Sequence, residues 1–196
     1  MKAIQIDRYK KGDVKVTLRD IEMPKVGDND LLVKVKAAAV NPLELLIAHG
    51  DVKMVVPYHF PLTIGNEMSG VVEQVGASVK DFQVGDRVFC RLPINRIGAF
   101  AEYVAVDAAA VAKTPDYLSD IEAAAVPLTA LTAEQALDIL KLKSGNSLFI
   151  SGGSGSFGAM AIPLAAARGL KVITSGGAKA KERMMKLGVS QYFDYK

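Results

Sequence analysis

Residues 147–158, Ser-Leu-Phe-Ile-Ser followed by Gly-Gly-Ser-Gly-Ser-Phe-Gly, constrain the fold of this chain more than any other stretch. The apolar run from Ser147 to Ser151 reads as a buried strand, and the glycines read as its exit turn. Gly153, Gly155 and Gly158 stand at the spacing G-x-G-x-x-G. In that spacing the first glycine permits a tight turn, the second lets backbone approach a pyrophosphate, and the third lets a following helix pack close to the strand. The helix then aims unpaired N–H groups at the phosphates. A nucleotide cradle made of Gly153, Ser154, Gly155, Ser156, Phe157 and Gly158 is therefore the first hypothesis. Its alternative is a glycine-rich connection between two packed elements.

The flanking sequence favours the cradle. Ala159 to Ala167 is a run of small helix formers, Gly169 is placed as a helix stop, and Leu170 to Thr174 reads as a second strand. A carboxylate that would hold the adenine ribose of NAD belongs near Thr174 to Gly177. None is there: the residues are Thr174, Ser175, Gly176 and Gly177, followed by Lys179, Lys181 and Arg183. A polar and then cationic lining suits a 2′-phosphate, so the expectation is NADP(H), with Ser175, Lys179 and Lys181 as contacts. The plainer alternative is that these cations form a solvated helix face.

A chain of 196 residues that is 50% hydrophobic can bury a core as one large domain or two small ones. Its net charge of +3 is small and interspersed, and argues for neither nucleic acid nor a membrane as partner. The single cysteine, Cys90, excludes an internal disulfide and a multi-cysteine zinc cluster, and after Val88 and Phe89 it reads as a buried apolar residue. Charge at Asp7 and Arg8 comes too early for a signal peptide, which makes a cytoplasmic location the default.

The N-terminal part is β-patterned. Lys2 to Asp7, Val14 to Leu18 and Leu31 to Lys36 alternate apolar and polar positions, and Gly70 to Gly76, Arg87 to Phe89 and Ala101 to Val106 continue the pattern. Residues 1 to about 115 thus predict a small barrel-like β domain. Asn41 to Gly50 breaks the alternation with Leu43, Leu46 and Ile47 at helical spacing. Beyond Pro115, Ser119 with Glu122 predicts a capping box, and Thr129 to Leu140 predicts a longer helix leading into the strand at Leu148. The domain division expected from this pattern is 1–118 and 119–196.

Val40-Asn41-Pro42, Gly65-Asn66-Glu67-Met68-Ser69-Gly70, Gly85 to Val88, Gly98 to Tyr103, Pro127 to Ala133 and the glycine turn together resemble the medium-chain dehydrogenase/reductase superfamily, and within it the zinc-independent, zeta-crystallin-like quinone oxidoreductases. The resemblance covers the whole chain. It implies an α/β protein in which a GroES-like β domain precedes an incomplete Rossmann domain, the relatives continuing beyond the third strand at Gln191 to Tyr195. It also implies NADPH, a small quinone, enone or carbonyl as substrate, and a homodimer when full length. Similar zinc alcohol dehydrogenases carry Cys where this chain has Asn41 and His where it has Asn66, and carboxamides do not replace those zinc donors. No metal site is expected.

By the same resemblance Asn41 lies against the nicotinamide ribose or the substrate and Thr129 contacts that ribose; Tyr58 is a candidate to hydrogen-bond the substrate oxygen, and Tyr195 a candidate contact on the adenine side. The alternatives are aromatic packing for Tyr58 and helix capping for Thr129. His49 and His59, without a paired carboxylate or second ligand in the sequence, read as structural or solvent-facing. Glu44 departs from the family's usual Asp, and Pro163 stands inside the glycine-turn helix, where a kink is expected. Two other function classes stay open: a non-catalytic nucleotide-binding remnant and a zinc-type alcohol dehydrogenase.

Overall fold

The structure is a computed structural model that describes residues 1–195. It divides into two compact units, Met1–Pro127 and the chain from Leu128 onward.

The N-terminal unit is built from two antiparallel sheets. Strand β1 (Lys2–Ile6) pairs with β2 (Thr17–Asp20) on one side and β4 (Leu62–Thr63) on the other. A second sheet has the order β7-β3-β5-β6-β8, where β3 is Asp30–Ala38, β5 Glu67–Val75, β6 Arg87–Arg91, β7 Tyr103–Asp107 and β8 Ala112–Lys113. An Ala3–Ala101 bridge and the Ile4 N–H bond to the Phe100 carbonyl join the sheets into the expected barrel-like form. Leu31 and Val33 of β3, Met68 and Val72 of β5, Val88 of β6 and Val106 of β7 are all fully buried, as period-two alternation requires. The predicted strand at 14–18 begins only at Thr17, because Lys11 to Val16 is an irregular connection.

Helix α1 (Pro42–His49) interrupts the strands where the spacing predicted it. Proline at its first position costs no hydrogen bond there, and Gly50 ends it at φ 79°, a left-handed conformation that glycine adopts without strain.

Helix α2 (Asp120–Ala124) carries the predicted box: Ser119 Oγ accepts from the Glu122 N–H, and the Glu122 carboxylate accepts from the Ser119 N–H. It is pinned to the β sheets. Ser69 Oγ donates to the Asp120 carbonyl (2.6 Å), and Arg87 Nη2 donates both to the Asp120 carboxylate and to the Leu118 carbonyl (2.8 Å each). Those bonds hold α2 within the first unit, which runs to Pro127.

The C-terminal unit takes in α3 (Pro127–Leu140) from Leu128 and continues as a parallel sheet, β9 (Ser147–Ile150), β10 (Lys171–Gly176) and β11 (Val189–Asp194), with α4 (Ser156–Ala167) and α5 (Lys181–Lys186) as its crossovers. The order β11-β10-β9 is the 3-2-1 half of a doubly wound sheet. Its core gathers Leu137, Ile150, Ile162, Ala165, Val172 and Met184. Helix α4 runs uninterrupted through Pro163, which leaves the Ala159 carbonyl without its usual intrahelical donor. β9 forms one edge of this sheet, and Phe149 on it is 56% exposed.

Candidate functional site

Two polar constellations emerge, one in each unit. In the C-terminal unit the glycine turn leaves β9 and enters α4 at its N-cap, Gly155. Gly153 and Gly158 are there because no other residue fits. A Cβ on Gly158 would lie 2.4 Å from the Gly153 Cα, and one on Gly153 would lie 2.1 Å from Thr174 Oγ1. The N–H groups of Ser156, Phe157 and Gly158, first in α4, find no acceptor among the described residues. Unpaired donors at the start of a 12-residue helix favour an anion. The turn also stands past the C-terminal end of a parallel strand, where open α/β sheets bind their ligands.

Around this cradle the sequence reading needs refinement. Thr174, read as part of the ribose lining, is fully buried beneath the turn. Ser175 gives its carbonyl to the Gly153 N–H (3.1 Å). Lys179 and Lys181 are exposed, and neither side chain has a hydrogen bond or ion pair among the described residues. Arg183, one turn further into α5, donates from Nη2 to the Ser154 carbonyl (2.9 Å). Tyr192 is a group that the sequence reading missed: its hydroxyl donates to the Gly177 carbonyl (2.8 Å), and a Cβ on Gly176 would lie 2.3 Å from that oxygen. Only the parallel pairing of β10 with β11, which sets Thr174 opposite Tyr192, could have signalled it. Tyr195, 67% exposed, donates its N–H to the Gly176 carbonyl (3.3 Å). Thr129 sits in the first turn of α3.

In the N-terminal unit two carboxylates hold two carboxamides. Asn41, the N-cap of α1, donates from Nδ2 to Glu67 (2.8 Å), and its own N–H donates to Glu44 (2.6 Å). The other Glu44 oxygen accepts from Asn66 Nδ2 (2.8 Å) and from the Asn66 N–H (3.2 Å). Glu44, Asn66 and Glu67 are all buried, at 5%, 0% and 1% exposure. An ionised carboxylate only accepts, so each amide must turn its nitrogen toward its glutamate and its oxygen away. The Asn66 oxygen is left buried without a donor. Asn41 is only half-buried, so its oxygen can serve as a hydrogen-bond acceptor for a bound molecule.

The Tyr58 hydroxyl donates to the Ile94 carbonyl (2.7 Å) and keeps its lone pairs for a bound molecule, and burial pushes its phenol above the usual range. His49 Nε2 lies 3.2 Å from the Gly12 carbonyl and its Nδ1 lies 3.8 Å from the Asp51 carboxylate, a partner the sequence did not signal, and His59 is exposed. Cys90 is buried, and burial together with the negative charge of Glu67 pushes its thiol up to about 12. Among the described residues no group of three His, Cys, Asp or Glu side chains is placed to hold a metal ion. No helix among them is long and apolar enough to cross a membrane.

Residues 27–116 match the alcohol dehydrogenase GroES-like domain. The human mitochondrial NAD(P)H oxidoreductase RTN4IP1 is 34% identical over all of this chain, which spans 54% of that relative. Among solved structures, the quinone oxidoreductase from Coxiella burnetii superposes with a TM-score of 0.88 at 32% identity, covering 100% of this chain and 62% of its own. The Escherichia coli quinone oxidoreductase complexed with NADPH does so with a TM-score of 0.83 at 26% identity, covering 100% and 59%. The chain thus spans a little over half the length of the relatives it matches.

Proposed function

We propose that this chain, as a member of the medium-chain dehydrogenase/reductase superfamily, serves as part of a zinc-independent, NADPH-dependent oxidoreductase that reduces a quinone, an enone or another small carbonyl compound. The observation that carries the reading is the glycine turn. Its Cβ-excluding contacts at Gly153 and Gly158 and the free N–H groups of α4 suit a pyrophosphate. Bound NADPH would supply the hydride.

The chain's own residues divide the remaining work. Gly153 to Gly158 hold the pyrophosphate through backbone. Ser175, Lys179 and Lys181 meet the adenosine 2′-phosphate, and Tyr195 flanks the adenine. Asn41 offers a carboxamide oxygen to a hydroxyl of the ribose or the substrate, Thr129 contacts the nicotinamide ribose, and Tyr58 contributes lone pairs. The zinc-free assignment is supported by the donor set: the amide nitrogens of Asn41 and Asn66 are committed to Glu67 and Glu44, and thiolate or imidazole donors are missing at those two positions.

Loss of NADPH absorbance against a panel of quinones, enones and aldehydes tests the activity. Turnover with at least one panel member is expected from the complete protein. NADPH binding without turnover anywhere on the panel would favour a non-catalytic nucleotide-binding protein, and stoichiometric zinc in the purified protein would favour an alcohol dehydrogenase.

A further inference from the structure

Beneath the glycine turn lies a side chain whose chemistry is fully committed. Thr174 is on β10 and has no exposed surface. A hydroxyl gives one hydrogen and receives through its lone pairs. Thr174 Oγ1 gives its hydrogen to the carbonyl of Ile150, the last residue of β9 (2.5 Å), and receives one from the N–H of Gly153 (3.1 Å). One oxygen therefore ties the end of the first strand to the turn that follows it.

Packing carries the constraint upward. Gly153 rests directly on the Thr174 hydroxyl, and Gly158 rests on Gly153, with no room for a Cβ at either level. The height of the hydroxyl thus sets the height of the first turn of α4, and with it the position of the free N–H groups of Ser156, Phe157 and Gly158. The Gly153 N–H has a second acceptor in the Ser175 carbonyl (3.1 Å), whereas the contact that supports the turn from below comes from the threonine side chain. We propose that Thr174 is a positioning residue for phosphate binding: without touching the ligand, its hydroxyl holds the glycine turn at the height where the α4 donors converge on a pyrophosphate. The proposal rests on the dinucleotide reading of the turn.

The test compares Thr174→Val, which keeps the shape and removes the hydroxyl, with Thr174→Ser, which keeps the hydroxyl. Two ligands are titrated into the complete protein: NADPH, which carries the pyrophosphate, and adenosine 2′-monophosphate, which lacks it. Hydrogen exchange at the Gly153 amide is measured alongside. The Val variant should weaken NADPH by about tenfold, the effect of losing about 1.4 kcal/mol of hydrogen bonding, change the monophosphate by less than about twofold, and speed exchange at Gly153. The Ser variant should restore all three. Equal weakening of both ligands by Thr174→Val would make the residue merely structural and overturn the proposal, as would unchanged exchange at Gly153. Wild-type protein that binds neither ligand would instead overturn the dinucleotide reading, while the exchange measurement still decides whether Thr174 holds the turn.

Discussion

Glu44 is the residue whose removal tests the N-terminal constellation most severely. Its carboxylate is 5% exposed and accepts from three donors: the Asn41 N–H, the Asn66 N–H and Asn66 Nδ2. Glu44→Ala strands all three. An unsatisfied buried donor costs roughly 1–3 kcal/mol, and water entering the vacated space relieves part of the sum, so the expected loss is about 3–5 kcal/mol. Glu44→Gln discriminates further. Its single oxygen can serve the two Asn66 donors, but its NH2 then meets the Asn41 N–H head-on, at a cost of about 1–3 kcal/mol. Exchange of the β3 and β5 amides, read by mass spectrometry across a urea series, gives the opening free energy of this unit, with β10 peptides as an internal control. The order of stability should be wild type, then Gln, then Ala. A Gln variant as stable as wild type would refute the acceptor-only role assigned to this carboxylate.

Three further outcomes follow from the same geometry. Asp30 is held below the usual carboxylate range by hydrogen bonds from Arg96, at 2.6 and 2.8 Å, with the Gly27 N–H adding to the effect and burial opposing it. A carboxyl depressed in the folded state stabilises above its unfolded value and loses that contribution as pH falls through its folded one. The stability deficit of Arg96→Met should therefore be full at pH 7 and shrink progressively below about pH 4, as urea midpoints across a pH series would show. Cys90, buried and with its thiol pushed up to about 12, should resist alkylation in native protein at pH 8 and react fully once unfolded; mass shifts after iodoacetamide treatment check this. Replacing Lys179 and Lys181 together with alanine should weaken NADPH by roughly three- to tenfold, since exposed pairs are partly screened, and leave NADH nearly unchanged. Equal losses in titrations of the two cofactors would remove the residue-level support for NADPH.

How much of this was legible in the sequence depends on the range of the interaction. Periodicity and turn chemistry are local, so β3, α1, the Ser119–Glu122 box and the strand–turn–helix at 147–167 emerged where predicted, with ends displaced by a few residues. The glycine turn was legible because its spacing is itself the geometric requirement. The partners of its side chains were not. Thr174 reads as a polar residue at a strand end, and only the parallel register that sets it opposite Ile150 puts its hydroxyl under Gly153. Glu44 and Glu67 looked like ordinary charges until β5 and α1 brought them onto Asn66 and Asn41, 22 and 26 residues away in sequence. The bond from the Tyr58 hydroxyl to the Ile94 carbonyl was hidden for the same reason, since its partner lies 36 residues away and no local pattern reports it.

The contact between Gly153 and Thr174 also restricts the order in which these two positions can change. Gly153 is not among the positive-φ glycines, so alanine is barred from 153 by space alone: its methyl carbon would lie 2.1 Å from Thr174 Oγ1 and 2.9 Å from Ile162 Cδ1. An alanine introduced first would collide with Thr174 and lift the turn. A substitution at 174 to alanine or glycine, made first, removes the 2.1 Å contact and leaves the flexible end of Ile162 to give way, but it gives up the tie between Ile150 and Gly153. The double replacement is thus reached through one step that is nearly closed and another that passes through a loosened intermediate. The two sites are expected to vary as a pair, with strong epistasis between them, and a sequence that has crossed to alanine at 153 should carry a residue no larger than alanine at 174.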